Sequence, residues 1–202
     1  MSAPTKRTLE LTDPRALRAL AHPTRLRLVG LLRTHGSLTA TQAAALLGQT
    51  SGNCSFHLRQ LARYGLVEEV PLPGRAKPWR ATAWYTSWPG TADDPDYAAA
   101  AGLLSRVVVD RYIELMHGWI DNGTDESPEW RQAAWFGDVL ICVTPDELTA
   151  AGEAVTEVLA PYVERVFRPE LRPDGARMVS ALQIAVPREI SMGDSAQADG
   201  AP

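Results

Sequence analysis

Apolar residues recur at helical spacing over most of this chain, and turn residues cut the pattern into short elements. Leu17, Leu20 and Ala21 share a side, behind Asp13-Pro14, a cap followed by proline at the first helical position. Pro23 opens a second helix with Leu26, Val29 and Leu32 inward, closed by Gly36. Thr39 and Gln42 have capping-box spacing and start a short third helix that stops at Gly48. Thr50 can cap a fourth, in which Cys54, Leu58, Leu61 and Ala62 face one way. Gly65 supplies its left-handed stop, with Leu66 placed against Leu61.

The period then changes. Val67–Val70 and Trp79–Trp84 read as two strands around the Pro- and Gly-rich segment 71–78. Segment 86–96 reads as linker. From about Pro95 to Ile120 a long helix is expected, with Tyr97, Ala101, Leu104, Val108, Tyr112, Leu115 and Trp119 on one stripe. Trp130–Phe136 and Asp138–Val143 look extended. Thr144-Pro145-Asp146-Glu147 is a strong helix start, and residues 177–187 alternate like a strand. The fold class is therefore mainly α with small β: a winged helix-turn-helix over 13–88, then a helical or α+β domain over 97–188. Residues 1–12 are expected to be flexible, 89–96 a linker, and 189–202 a disordered tail.

The fourth helix is the informative one. At about 100° per residue, Gly52, Phe56, Arg59 and Arg63 point away from Cys54. Thr50, Ser51, Asn53 and Ser55 flank its exposed first turns. No carboxylate lies there, so the tip can approach phosphates. Ser and Asn can bond base edges, and Phe56 can pack on a thymine methyl. The following hairpin carries Arg75, Lys77 and Arg80, expected to form a cationic tip free of acids that contacts phosphate or the minor groove. Arg25 and Arg27 are further phosphate candidates.

Charge distribution supports this reading. The 202-residue chain has a net charge of −4. Residues 1–90 hold 12 Lys/Arg and 4 Asp/Glu, whereas 91–202 hold 8 and 20. A basic half followed by an acidic half suits a nucleic-acid reader joined to a second domain. No run approaches a membrane span, no secretory signal is evident, and two cysteines make no disulfide framework. A cytoplasmic protein is expected.

Two runs carry a family likeness. Ala19-Leu20-Ala21-His22-Pro23-Thr24-Arg25-Leu26-Arg27-Leu28, and the Ser55–Leu66 run with His57-Leu58-Arg59-Gln60-Leu61 and Gly65-Leu66-Val67, resemble the ArsR-type winged helix-turn-helix transcriptional regulators. The resemblance covers roughly residues 13–88. It implies a homodimer that reads an imperfect palindrome in double-stranded DNA, with 51–64 as reader and 71–78 as wing. The helix Ala40–Leu47 lacks the Cys-x-Cys element of the metal-sensing members, so the likeness is to the subset without it, and no metal site is expected.

No catalytic constellation is legible, and no cofactor is implied. Glu114 and His117 have helical i, i+3 spacing, but one such pair is not a di-metal site. Trp119, Trp130, Trp135 and Tyr162 are candidates to wall a site for a small organic effector. The expectation is a sequence-specific, dimeric DNA-binding regulator that is not an enzyme. The alternative is a winged helix used as a protein-docking or ligand-binding module.

Overall fold

Local capping sets the first four helices. The computed structural model describes residues 6–71, 77–88 and 93–188. Asp13 accepts a hydrogen bond from the Arg15 amide and starts α1 (Pro14–Leu20). The His22 ring caps α2 (Pro23–His35) by accepting from the Thr24 amide at 3.2 Å. The reciprocal box of Thr39 and Gln42 starts α3 (Ala40–Leu47), which ends at Gly48 with φ 63°. Thr50 caps α4 (Ser51–Arg63). Its end is a Schellman pair: Leu66 donates to the Leu61 carbonyl and Gly65 to that of Ala62. Gly65 has φ 69°, a conformation that any side chain would strain.

These helices bury one face each around a common core. Leu17, Leu20, Leu28, Leu32, Leu58 and Leu61 are all but sealed from solvent. Each such burial contributes about 1.5–3 kcal/mol relative to exposure. The expected second strand divides in two at Thr82. β2 (Val67–Glu69) pairs antiparallel with β3 (Trp79–Ala81), and β4 (Ala83–Ser87) turns away. β4 pairs in parallel with β1 (Lys6–Glu10). The N-terminus is thus a strand from Lys6 rather than flexible chain, and Thr86 and Ser87 are strand rather than linker. Residues 1–5 and 89–92 lie outside the described residues.

Arg33 ties α2 to β4. Its Nε donates to the Ala83 carbonyl at 3.0 Å and its Nη2 to the Thr86 hydroxyl at 2.9 Å. Burial, aided by the nearby Arg111 charge, pulls its pKa down to about 10.

The boundary expected at residue 97 falls inside this unit. α5 (Pro95–Asn122) sends Tyr97, Ala100, Ala101 and Leu104 into the same core as α1 to α4. The Tyr97 hydroxyl donates to the Leu11 carbonyl at 2.9 Å, and Arg111 Nη1 to the Leu26 carbonyl at 2.8 Å. The first compact unit runs through Ala134 and ends in α6 (Pro128–Ala133). Residues 130–133 are helical rather than extended because Ser127 caps them, with Pro128 and Glu129 in the first turn.

The second unit, from Trp135, is built on α7 (Pro145–Phe167), started by the capping box of Thr144 and Glu147. The strands expected over 138–143 and 177–187 do not form. Alternation alone does not make a strand; the backbone needs a ladder partner. Among the described residues of this unit none supplies one, and Val139, Val179 and Val186 stay about 70–80% exposed. The α+β expectation for the C-terminal region is thereby corrected to helix plus irregular chain, while the chain as a whole remains mainly α with small β. No helix among the described residues is long and apolar enough to cross a membrane.

Candidate nucleic-acid interface

The amphipathic split of α4 positions the site. Cys54, Leu58 and Leu61 are fully buried, and this anchors the helix along one side. Thr50, Ser51, Gly52, Asn53, Phe56 and Arg59 are exposed, and Ser55 is half-buried. These are the residues that sequence spacing selected, and the helix brings them to one surface. Phe56 is 52% exposed, an apolar ring standing on an otherwise polar face.

Several of these side chains are already oriented. The Thr50 hydroxyl accepts from the Asn53 amide at 3.2 Å, which commits its oxygen to capping. Asn53 Nδ2 donates to Gln49 Oε1 at 2.9 Å, and Gln49 Nε2 reaches the Thr24 hydroxyl at 3.4 Å. Gln49 therefore positions Asn53, a role not read from the sequence. The available signal was the i, i+4 spacing of two amides at a helix start. Arg59 folds along its own helix, donating from Nε to the Ser55 carbonyl at 3.2 Å.

The wing departs from expectation. Its cations are not free of acids: Lys77 Nζ lies 3.2 Å from Glu69, and Arg80 Nε donates to Glu68 at 2.8 Å. The reason is register. Antiparallel pairing sets Glu68 opposite Arg80 and Glu69 opposite Trp79, two residues from Lys77 and so diagonal to it. Opposite charges directly across a ladder attract. Arg80 is half-buried and anchors the sheet; Lys77 is exposed. Arg75 lies outside the described residues.

Arg25 is part-buried. It donates to the carbonyls of Ala19 and Arg18, so it closes the end of α1 as well as facing outward. Arg27 is exposed. His57, on the buried side of α4, was not singled out by its spacing. Among the described residues no cluster of three His, Cys, Asp or Glu side chains is placed to hold a metal. Trp119 and Trp130 are half-buried in the first unit, whereas Trp135 and Tyr162, in the second, are largely exposed.

A short helix and a sharp turn precede the exposed reading helix, and an antiparallel hairpin follows it. Together they define a winged helix-turn-helix unit, the kind that DNA-binding regulators carry. A family model described as a helix-turn-helix domain matches residues 20–70. This unit belongs to that family, and its motifs make it one of the ArsR type.

Solved structures give the same company. One is the homodimeric winged helix-turn-helix DNA-binding domain of a possible ArsR-family regulator from Mycobacterium bovis. It is 25% identical over 51% of this chain and 81% of that one, with a TM-score of 0.33. A possible transcriptional regulator for arsenical resistance is 31% identical over 48% of this chain and 95% of its own, at 0.31. The apo form of MarR from E. coli is 16% identical over 73% and 87%, also at 0.31. The fold rests on the elements above rather than on these superpositions. No curated protein matches the chain.

Proposed function

We propose that this chain is a sequence-specific transcriptional regulator that binds double-stranded DNA as a homodimer in the cytoplasm. One observation carries the reading. The N-terminal half of α4 presents Ser51, Gly52, Asn53 and Phe56 to solvent without a carboxylate, while its opposite side is locked into the core. Such a helix tip can enter a major groove about 12 Å wide and offer donors to base edges. Lys77, exposed on the wing, is assigned to phosphate contact. The two-fold symmetry of a dimer would set two half-sites about 34 Å apart.

Dimer contacts are assigned to α5, whose second half carries apolar residues beyond those that fill the core. Regulation by a small organic effector belongs to the same proposal. The decisive experiment is selection of bound fragments from random DNA with the purified chain. A palindromic motif is the expected result; recovery of fragments without sequence preference would defeat the reading.

A further inference from the structure

A cleft of about 390 Å³ opens between α1, the start of α2 and α4. Its walls are Arg15, Arg18, Arg25, Phe56, Gln60 and Tyr64. The volume lies in the range of small-molecule sites, roughly 300–1,000 Å³, but the depression is shallow and largely open to solvent.

The three arginines are not equivalent. Asp13 takes Arg15 at 3.1 Å, and Asp96 takes Arg18 at 3.0 Å. The Arg25 guanidinium, among the described residues, gives its Nε and Nη2 to main-chain carbonyls and has no carboxylate beside it. It is part-buried, and the loss of water lowers its pKa. A desolvated cation that meets only neutral acceptors gains from an anion. Nη1 remains as a donor toward one. The cleft thus carries one positive charge in excess, which matches a monoanion better than a doubly charged phosphate.

The remaining walls speak for a ring. Phe56 is half exposed and Tyr64 half-buried. A planar aromatic body would cover Phe56 and lie near guanidinium planes, which stack on such faces. Gln60 adds an amide that can hydrogen-bond a polar substituent.

We propose that this cleft is an effector site for a planar aromatic monocarboxylate, its carboxylate on Arg25 and its ring against Phe56 and Tyr64. Resting on the DNA-reading assignment, the regulatory consequence is direct. Phe56 belongs to the reading face, so an occupied cleft alters what α4 offers to DNA.

The test needs no DNA, so its failure and the failure of the DNA reading are separable. The full chain is titrated calorimetrically with 1-naphthoate, the neutral 1-naphthamide and inorganic phosphate. One saturable naphthoate site per chain is expected, with naphthamide binding about tenfold more weakly. Gln60→Glu sets a carboxylate beside the bound anion and weakens naphthoate by about tenfold, with circular dichroism confirming an intact fold. Phe56→Ala, at an exposed position, weakens it similarly. No naphthoate binding up to roughly 10 mM overturns the proposal. So does equal binding of the amide, or indifference to both substitutions. Phosphate binding as tightly as naphthoate also overturns it, and would mark the cleft as a phosphate seat.

Discussion

His22 and His57 face each other with ring centroids 4.7 Å apart and planes tilted by 43°. The contact joins the cap of α2 to the buried side of the reading helix. His22 Nδ1 must be unprotonated to accept the Thr24 amide, and His57 Nδ1 is buried with no hydrogen-bond partner among the described residues. Burial lowers both pKa values from the ordinary 6.5; the Arg25 charge adds to the effect on both, and His22 further lowers that of His57.

The sign follows from linkage. A histidine held neutral in the folded state binds fewer protons there than in the unfolded chain. Stability is therefore full above the ordinary value of 6.5 and falls as pH drops from there toward the lowered folded values. Thermal unfolding between about pH 7.5 and about pH 5 should show a falling Tm, and His57→Phe should flatten the slope. Equal slopes in both proteins would remove His57 from the explanation. The paired carboxylates of Asp13 and Asp96 have lowered pKa values, so they titrate below this window.

Asn53 is already held by Gln49 at the exposed end of α4. Its amide can read an adenine edge in two bonds, a discrimination of about 1–3 kcal/mol. Asn53→Ala should relax sequence preference at one position per half-site while leaving the melting temperature nearly unchanged. Gln49→Ala should produce a weaker version of the same loss. Affinity measured on a panel of single-base operator variants separates this from a uniform weakening.

Glu69 holds Lys77 at 3.2 Å on the wing. The pair is exposed, so its contribution to stability is small, about 0–1 kcal/mol. Its effect on DNA should be larger. Glu69→Gln removes an acid near the phosphate path and frees the ammonium. Binding to random-sequence DNA should tighten several-fold, and the slope of log K against log salt should steepen by roughly one. An unchanged slope would mean that Lys77 stays off the phosphates.

The buried Tyr97 hydroxyl donates to the Leu11 carbonyl across 86 residues of sequence. Tyr97→Phe leaves that carbonyl without its partner and should cost about 1 kcal/mol in urea unfolding at an unchanged m-value. A cost near zero would indicate that water replaces the hydroxyl.

The outcome for Tyr97 also shows where the sequence was readable. Local chemistry was legible: the caps at Asp13, Thr39, Thr50 and Thr144 and the stops at Gly48 and Gly65 each need only a few neighbouring residues. The exposed set on α4 followed from the burial of Cys54. What escaped depends on distant chain. Strand β1 exists because β4 lies beside it, and the reach of α5 into the N-terminal core depends on Tyr97 meeting Leu11. The acids opposite Lys77 and Arg80 required the ladder register, which the turn residues did not specify. Over 177–187 the error ran the other way: a period of two was present, but no backbone partner accompanied it.

Helix α5 carries two apolar stripes, and among the described residues the second is left partly open to solvent. Tyr97, Ala101 and Leu104 fill the core. Val109, Ile113, Met116 and Ile120 follow a 4-3-4 spacing about 120° away from that face, the seam spacing of paired helices. Ile113 is 40% exposed and Ile120 64%. Two copies of this seam, related by a two-fold axis, would bury both residues symmetrically. Ile113→Glu places two like charges at the centre of that contact and should leave the chain monomeric at micromolar concentration in sedimentation, where the unsubstituted chain is expected to pair. Half-sites would then bind independently, with loss of affinity for the palindrome but not for a single half. Leu103→Glu, also exposed but about 110° around the helix from the seam, should leave the dimer intact. If Leu103→Glu dissociates the chain and Ile113→Glu does not, the pairing surface lies on the other side of α5.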